Sequence, residues 1–157
     1  MPVTQHVVVR HFAQTDADAV AALIRETLLT SNIADYPAEE LELLAEWYSA
    51  RGLISRMGLT ERLVAVVTED GERIVGTAAR RENKLEAFFV APSWQRKGVG
   101  EQLLAALEDS ALHGAMRAIW LESSLTAVGF YERLGFTAAG PPRDNGDGLV
   151  VAMRKRL

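Results

Sequence analysis

Between Val90 and Leu103 the chain reads VAPSWQRKGVGEQL, a stretch whose residue types and spacing suit the holding of an anion. An apolar run stops at Pro92, cations follow at Arg96 and Lys97, and glycines stand at 98 and 100, just before a helical pattern begins. A helix N-terminus leaves its first N–H groups unpaired and carries about half a positive charge, so it favours phosphate wherever side chains leave the approach open. Gly98 and Gly100 would keep it open. An ordinary strand-to-helix turn with solvated cations accounts for the same residues, so this stretch alone leaves both readings standing. Spacing excludes two nucleotide loops. A Walker loop needs G-x-x-x-x-G-K-[ST], and a dinucleotide fingerprint needs a third glycine where Leu103 stands. Histidine, aspartate and glutamate nowhere cluster at metal-ligand spacing, so no metal is expected.

The 157 residues are 48% hydrophobic and 24% charged, which predicts one globular domain over residues 1–157 with a core of useful size. A net charge of −4 offers no overall positive field for nucleic acid or an anionic membrane, so any bound anion must be gathered locally. Cysteine is absent, which removes disulfides, thiolate metal sites and a cysteine nucleophile. No leader or membrane anchor is read in Met1–Gln5, and the expected location is the cytoplasm.

The elements that must position the loop follow from periodicity. Val7–Phe12 reads as a first strand, and Val20, Leu23, Ile24, Thr27 and Leu28 form one face of a helix from Asp16 to Leu29. A second helix carries Glu39 and Glu40 in its first turn, has a stripe of Leu41, Leu44, Ala45 and Tyr48, and stops near Arg51-Gly52. Strand-like runs at Leu63–Thr68, Arg73–Arg80 and Lys84–Val90 form a meander, its first turn made by Glu69-Asp70-Gly71-Glu72. A helix from Val99 to about His113 then leads to the strand Ala118–Leu121, a crossover that joins two parallel strands in an otherwise antiparallel sheet. A short helix from Thr126 to Leu134, a further strand at Phe136–Ala139, a loop at Ala139–Gly148 and a last strand at Gly148–Arg154 complete an α+β sheet with helices on both faces.

The stretch Val90–Gly100, followed by Ala127-Val128-Gly129-Phe130-Tyr131-Glu132-Arg133-Leu134-Gly135-Phe136, resembles the GNAT superfamily of acetyl-CoA-dependent N-acetyltransferases. That family places a pyrophosphate-binding Q/R-x-x-G-x-G/A after V-x-P, and an F-Y-x-x-x-G-F helix after the next strand. Element order over nearly the whole chain also matches. The resemblance implies a mixed, mostly antiparallel sheet that splays at one parallel strand pair, joined by the cofactor-binding helix, to admit the pantetheine arm. It implies that backbone N–H groups of Gln95, Arg96, Lys97, Gly98, Val99 and Gly100 hold the CoA pyrophosphate, and that Phe88, Phe89 and Val90 offer backbone hydrogen bonds to the pantetheine and acetyl group. Ser124 stands where many members have Asn; its hydroxyl either contacts the cofactor or caps the helix.

Tyr131 occupies the position of the family's general acid, and a phenol can donate a proton to a thiolate leaving group. An alkyl ammonium with pKa about 10.4 must lose a proton before it attacks, at a cost of roughly 4 to 5 kcal/mol at pH 7. Glu86, two residues from Phe88 and by strict alternation on its face, and Glu122, at the end of the parallel partner strand, are the candidate bases; a water chain with no single base is the alternative. The expected activity is direct acetyl transfer to a primary amine in a ternary complex, because no cysteine can carry the acetyl group. A small-molecule acceptor is favoured over a protein N-terminus or lysine, and a non-catalytic acyl-CoA-binding sensor is the reading of another class. Trp120 is expected in the core, Trp94 over or beneath the cofactor, and His11 and His113 outside the chemistry. Asp35, in the loop with Asn32 and Tyr36 that borders the expected acceptor site, reads as either a cap or an attractor of amines. The apolar run Leu149–Met153 suits either an interior strand or a homodimer edge.

Overall fold

A computed structural model of the chain describes residues 6–30, 36–69, 71–146 and 148–157. Asn32 and Asp35, the turn residue Asp70, and the N-terminal Met1–Gln5 lie outside the described residues. The strands are β1 (Val7–His11), β2 (Glu61–Val67), β3 (Arg73–Arg81), β4 (Lys84–Val90), β5 (Ala118–Ser124), β6 (Thr137–Ala138), β7 (Arg143–Asp144) and β8 (Leu149–Arg156). The helices are α1 (Ala17–Thr30), α2 (Ala38–Trp47), α3 (Ala50–Ser55), α4 (Val99–His113) and α5 (Val128–Arg133).

One sheet runs β1-β2-β3-β4-β5-β8-β6, with β7 also paired to β8. Every pairing is antiparallel except β4 with β5. This is the mixed α+β architecture expected of the sequence. Each layer is apolar toward the sheet. Val20, Ile24 and Leu28 of α1, Val64, Val66 and Val75 of the meander, Leu103 and Leu107 of α4, and Ile119 and Met153 are all buried. Among the described residues no helix is long and apolar enough to cross a membrane.

Three local expectations are corrected. The second helix is two: α2 ends at Trp47, and Ser49 starts α3 by accepting the Gly52 N–H at 3.2 Å. A serine that satisfies an orphan N–H wins over continued helical periodicity. Within the segment read as loop, Arg143 and Asp144 pair with Val150 and Leu149 as β7, where β8 offers unpaired backbone. Trp120 is half-exposed, its ring facing Lys84 Nζ at 4.9 Å, while its neighbours Ile119 and Leu121 enter the core. Alternation assigns one face of β5 to the core, and Trp120 falls on the other.

The start of α1 depends on a contact between side chains six residues apart. Asp16 is buried, receives two hydrogen bonds from the Arg10 guanidinium at 2.7 and 2.9 Å, and accepts the Ala13 N–H at 2.8 Å. The Arg10 hydrogen bonds, more than the charge attraction, hold the Asp16 carboxyl below its usual range against an opposing effect of burial. A depressed carboxyl stabilises the fold above its unfolded pKa of about 3.9, and that contribution is lost as pH falls through the folded value. Asp16→Asn is expected to cost about 1 to 3 kcal/mol near neutral pH. The gap from wild type should close below about pH 4, which thermal melts across pH would measure.

Candidate active site

The parallel pair sets the geometry. Among the described residues β4 and β5 are in register only at Lys84 and Trp120, where the Trp120 N–H donates to the Asn83 carbonyl at 3.0 Å. Beyond that point the strands part, and their C-terminal ends frame a cleft of about 1910 Å³. Its lining includes Glu86 through Val90, Leu121 through Ser124, the turn residues Gln95, Arg96, Gly98 and Gly100, Phe130 and Tyr131 of α5, and parts of α2 and α3. The splay exposes backbone. Ala91 donates its N–H to Val75 at 2.9 Å, so alternation along β4 turns the Val90 N–H away from β3, toward the gap.

Before α4 the chain takes two left-handed steps, Arg96 at φ 61° and Gly98 at φ 83°. Alternation of this kind gathers successive N–H groups into an anion-binding concavity. The first helical bond is donated by Gln102 to the Gly98 carbonyl at 3.1 Å, so the amides of Val99, Gly100 and Glu101 precede it. The two glycines have different tasks. A Cβ at Gly98 would meet nothing within 4 Å, and what the position demands is its φ. A Cβ at Gly100 would lie 3.0 Å from Phe130 Cζ and 3.3 Å from Phe88 Cε1. Gly100 therefore lets α4 close on the aromatic wall of the cleft, where the sequence suggested clearance for an anion. Arg96 and Lys97 are exposed, and Lys97 Nζ sits 5.0 Å from the Trp94 ring; Trp94 is buried beneath the turn. Gln95 Nε2 donates to the Val90 carbonyl at 3.2 Å and ties the turn to the end of β4.

Glu86 is not on the face of Phe88. Ala79 pairs with Glu86 and Thr77 with Phe89, so β3 spends two steps where β4 spends three, and Ala87 absorbs the extra residue at φ 48°. The bulge places Glu86 and Phe89 on one face and Phe88 on the other. Phe89 packs on the Tyr48 ring at 5.6 Å, whereas Phe88 packs on Phe130 and Tyr131 at 5.8 and 6.1 Å. Glu86 thus faces the α2–α3 side of the cleft.

Near Glu86 stands Arg62, which the sequence reading missed. Burial lowers its guanidinium to about 10 against the attraction of Tyr48 and Glu86, so it remains charged at neutral pH; its Nη1 donates to Thr77 Oγ1 at 3.3 Å. Burial likewise raises the Tyr48 phenol. The signal in the sequence was an arginine opening a run, Leu63–Val67, that is buried on both faces.

Tyr131 lies at the centre of the aromatic wall, 5.1 Å from Phe130 and 5.8 Å from Phe136 between ring centres. Burial chiefly, and the nearby Tyr36 secondarily, push its phenol well above the ordinary value. It is therefore proton-bearing throughout the neutral range. Ser124 also lines the cleft and its side chain makes no cap bond. Glu122 is committed elsewhere: it accepts from Lys84 Nζ at 2.8 Å, Arg143 Nη2 at 3.2 Å and Asn145 Nδ2 at 3.3 Å. The Lys84 hydrogen bond above all keeps its carboxyl low, which counts against it as a base. Among the described residues no cluster of three or more acidic or histidine side chains could hold a metal ion.

The chain is similar in sequence and fold to known proteins. The model of the acetyltransferase (GNAT) domain matches residues 32–157. A protein described as an IAA acetyltransferase of Azospirillum brasilense is 31% identical over 150 residues, 89% of this chain and 92% of that protein. A GCN5-related N-acetyltransferase from Rhodopseudomonas palustris superposes with a TM-score of 0.83 at 23% identity, over 100% of this chain and 99% of that one. The PaiA N-acetyltransferase of Thermoplasma acidophilum, solved in complex with coenzyme A, gives 0.79 at 21% identity, over 97% and 99%.

Proposed function

The chain belongs to the GNAT family of acetyltransferases, and on that premise we propose that it transfers an acetyl group from acetyl-CoA directly to a small primary amine. The observation that carries this reading is the splay of β4 from β5 beyond Lys84 and Trp120, with the left-handed turn at Arg96 and Gly98 on the same cleft. The residues present suit the cofactor. The open side of Gly98, the free amides of Val99 and Gly100 and the charge of Arg96 fit a pyrophosphate, and the gap beside Val90 fits an extended pantetheine arm. CoA-bound relatives such as the Thermoplasma acidophilum enzyme support the same ligand.

Acetyl-CoA supplies the acyl group in activated form, as a thioester. On the protein side, Val90 directs its N–H toward the acyl oxygen, where a fixed donor is worth more than mobile water. Glu86, on the face of β4 turned toward α2 and α3, takes the proton of the incoming ammonium directly or through water. Tyr131 holds a proton for the sulfur, and because burial disfavours its phenolate, it regains a proton readily. Ser124 is a hydroxyl contact on the β5 side. With no cysteine in the chain, the acceptor must meet the acyl group directly.

The test is mass spectrometry for bound CoA followed by acetyl-CoA consumption across an amine panel. CoA binding with turnover on a small amine is the expected result. Binding without turnover would point to a sensor, and failure to bind CoA would overturn the reading. For the base, Glu86→Gln should lower kcat about 100-fold. An unchanged kcat would transfer the role to water.

A further inference from the structure

Glu40 has no part in the steps above, yet its environment calls for a ligand. Its Oε2 is buried and has no hydrogen-bond partner among the described residues, and its side chain lines the cleft. A Cβ at Gly148 would lie 3.8 Å from that oxygen, so the carboxylate sits between α2 and the start of β8. Withdrawing a carboxylate oxygen from water with nothing to replace the lost hydrogen bonds is costly. The start of α2 does not explain it. Glu39, exposed beside it, offers the same favourable charge to the first turn with its oxygens in water.

The same face of α2 continues in two large apolar side chains, the farther of which, Trp47, carries the Arg56 guanidinium 4.2 Å from its ring centre. Glu40, Leu43 and Trp47 are spaced i, i+3 and i+7, all three line the cleft, and Leu43 and Trp47 remain 66% and 57% exposed. A helix that turns two large apolar side chains into a cleft, one and two turns beyond a carboxylate with one buried and unpartnered oxygen, is complementary to a cation with an apolar body.

We infer that Glu40 is the acceptor-binding residue that receives the substrate's ammonium group, and that the acceptor is a primary amine with an aromatic or aliphatic body lying along Leu43 and Trp47. This rests on the acetyl-transfer reading and deepens it: Glu40 selects the charged amine, and Glu86 deprotonates it.

The experiment is calorimetric titration of 2-phenylethylamine into the CoA-loaded protein, wild type and Glu40→Gln, with melting temperatures and acetylation kinetics measured alongside. Wild type should bind, and Glu40→Gln should weaken binding about 10- to 100-fold. CoA affinity should stay unchanged, and the melting temperature should be equal or higher, because an unpartnered charge has been removed. In turnover the loss should appear in KM for the amine, with kcat nearly retained. Absence of binding by wild type, equal binding by the two proteins, or a parallel loss of amine binding, CoA binding and stability would each overturn the inference. Amine binding is read without turnover, so a wild type that binds the amine through Glu40 but acetylates nothing would overturn the acetyl-transfer reading alone.

Discussion

Tyr131→Phe should lower the rate of acetyl transfer by about 100- to 1000-fold while leaving CoA affinity within about two-fold of wild type, since general acid catalysis contributes on that scale. The substitution removes one oxygen and keeps the ring. The edge contacts with Phe88, Phe130 and Phe136, at 6.1, 5.1 and 5.8 Å, do not depend on the hydroxyl. Stability should therefore hold or rise, because a partly buried phenol gives way to a phenyl of the same shape. The loss should fall on kcat and kcat/KM alike, the pattern for an interaction made only in the transition state. Single-turnover kinetics with a saturating amine would measure it. An unchanged chemical step would remove Tyr131 as the acid and leave it a packing residue.

Gly98→Glu should raise the dissociation constant for CoA by about 100-fold or more, through two effects that act together. The φ of 83° disfavours any side chain by about 1 to 2 kcal/mol, which would distort the turn and its ring of amides. The new carboxylate would also repel the pyrophosphate where the helix N-terminus attracts it. Gly98→Ala separates the two: its Cβ meets nothing within 4 Å, so it carries the backbone strain without the charge. Titration of CoA at low and high salt is the measurement. The Glu variant should recover part of its affinity as salt screens the repulsion, and the Ala variant should not. Unchanged affinity in the Glu variant would place the anion site elsewhere.

These two positions were legible in the sequence because their signals are local. A glycine before a helix after two cations, and an aromatic pair before Leu134-Gly135-Phe136, are read from adjacent residues. Glu86 was also visible, but its facing was not. Strict alternation puts it with Phe88, and the extra residue accommodated at Ala87 reverses that, a choice made by the register of β3 against β4. Glu122 stood behind Glu86 as a second candidate base, and Lys84, Arg143 and Asn145 arrive from two other segments to occupy it. Arg62 and Glu40 carried no motif. Their significance depends on what buries them, which is contributed by residues far along the chain.

The sequence by itself determined most of the order of strands and helices, the crossover around α4, the anion-suited turn and the tyrosine, since each rests on periodicity or on side chains a few residues apart. Only the tertiary structure decided where β4 leaves β5, which carboxylate faces the α2–α3 side of the cleft, which is locked in ion pairs, and why Gly100 rather than Gly98 must make room for a neighbour. Those outcomes turn on strand register, on a single bulged residue and on the desolvation of charges. All are properties of surfaces that exist only once distant segments have packed.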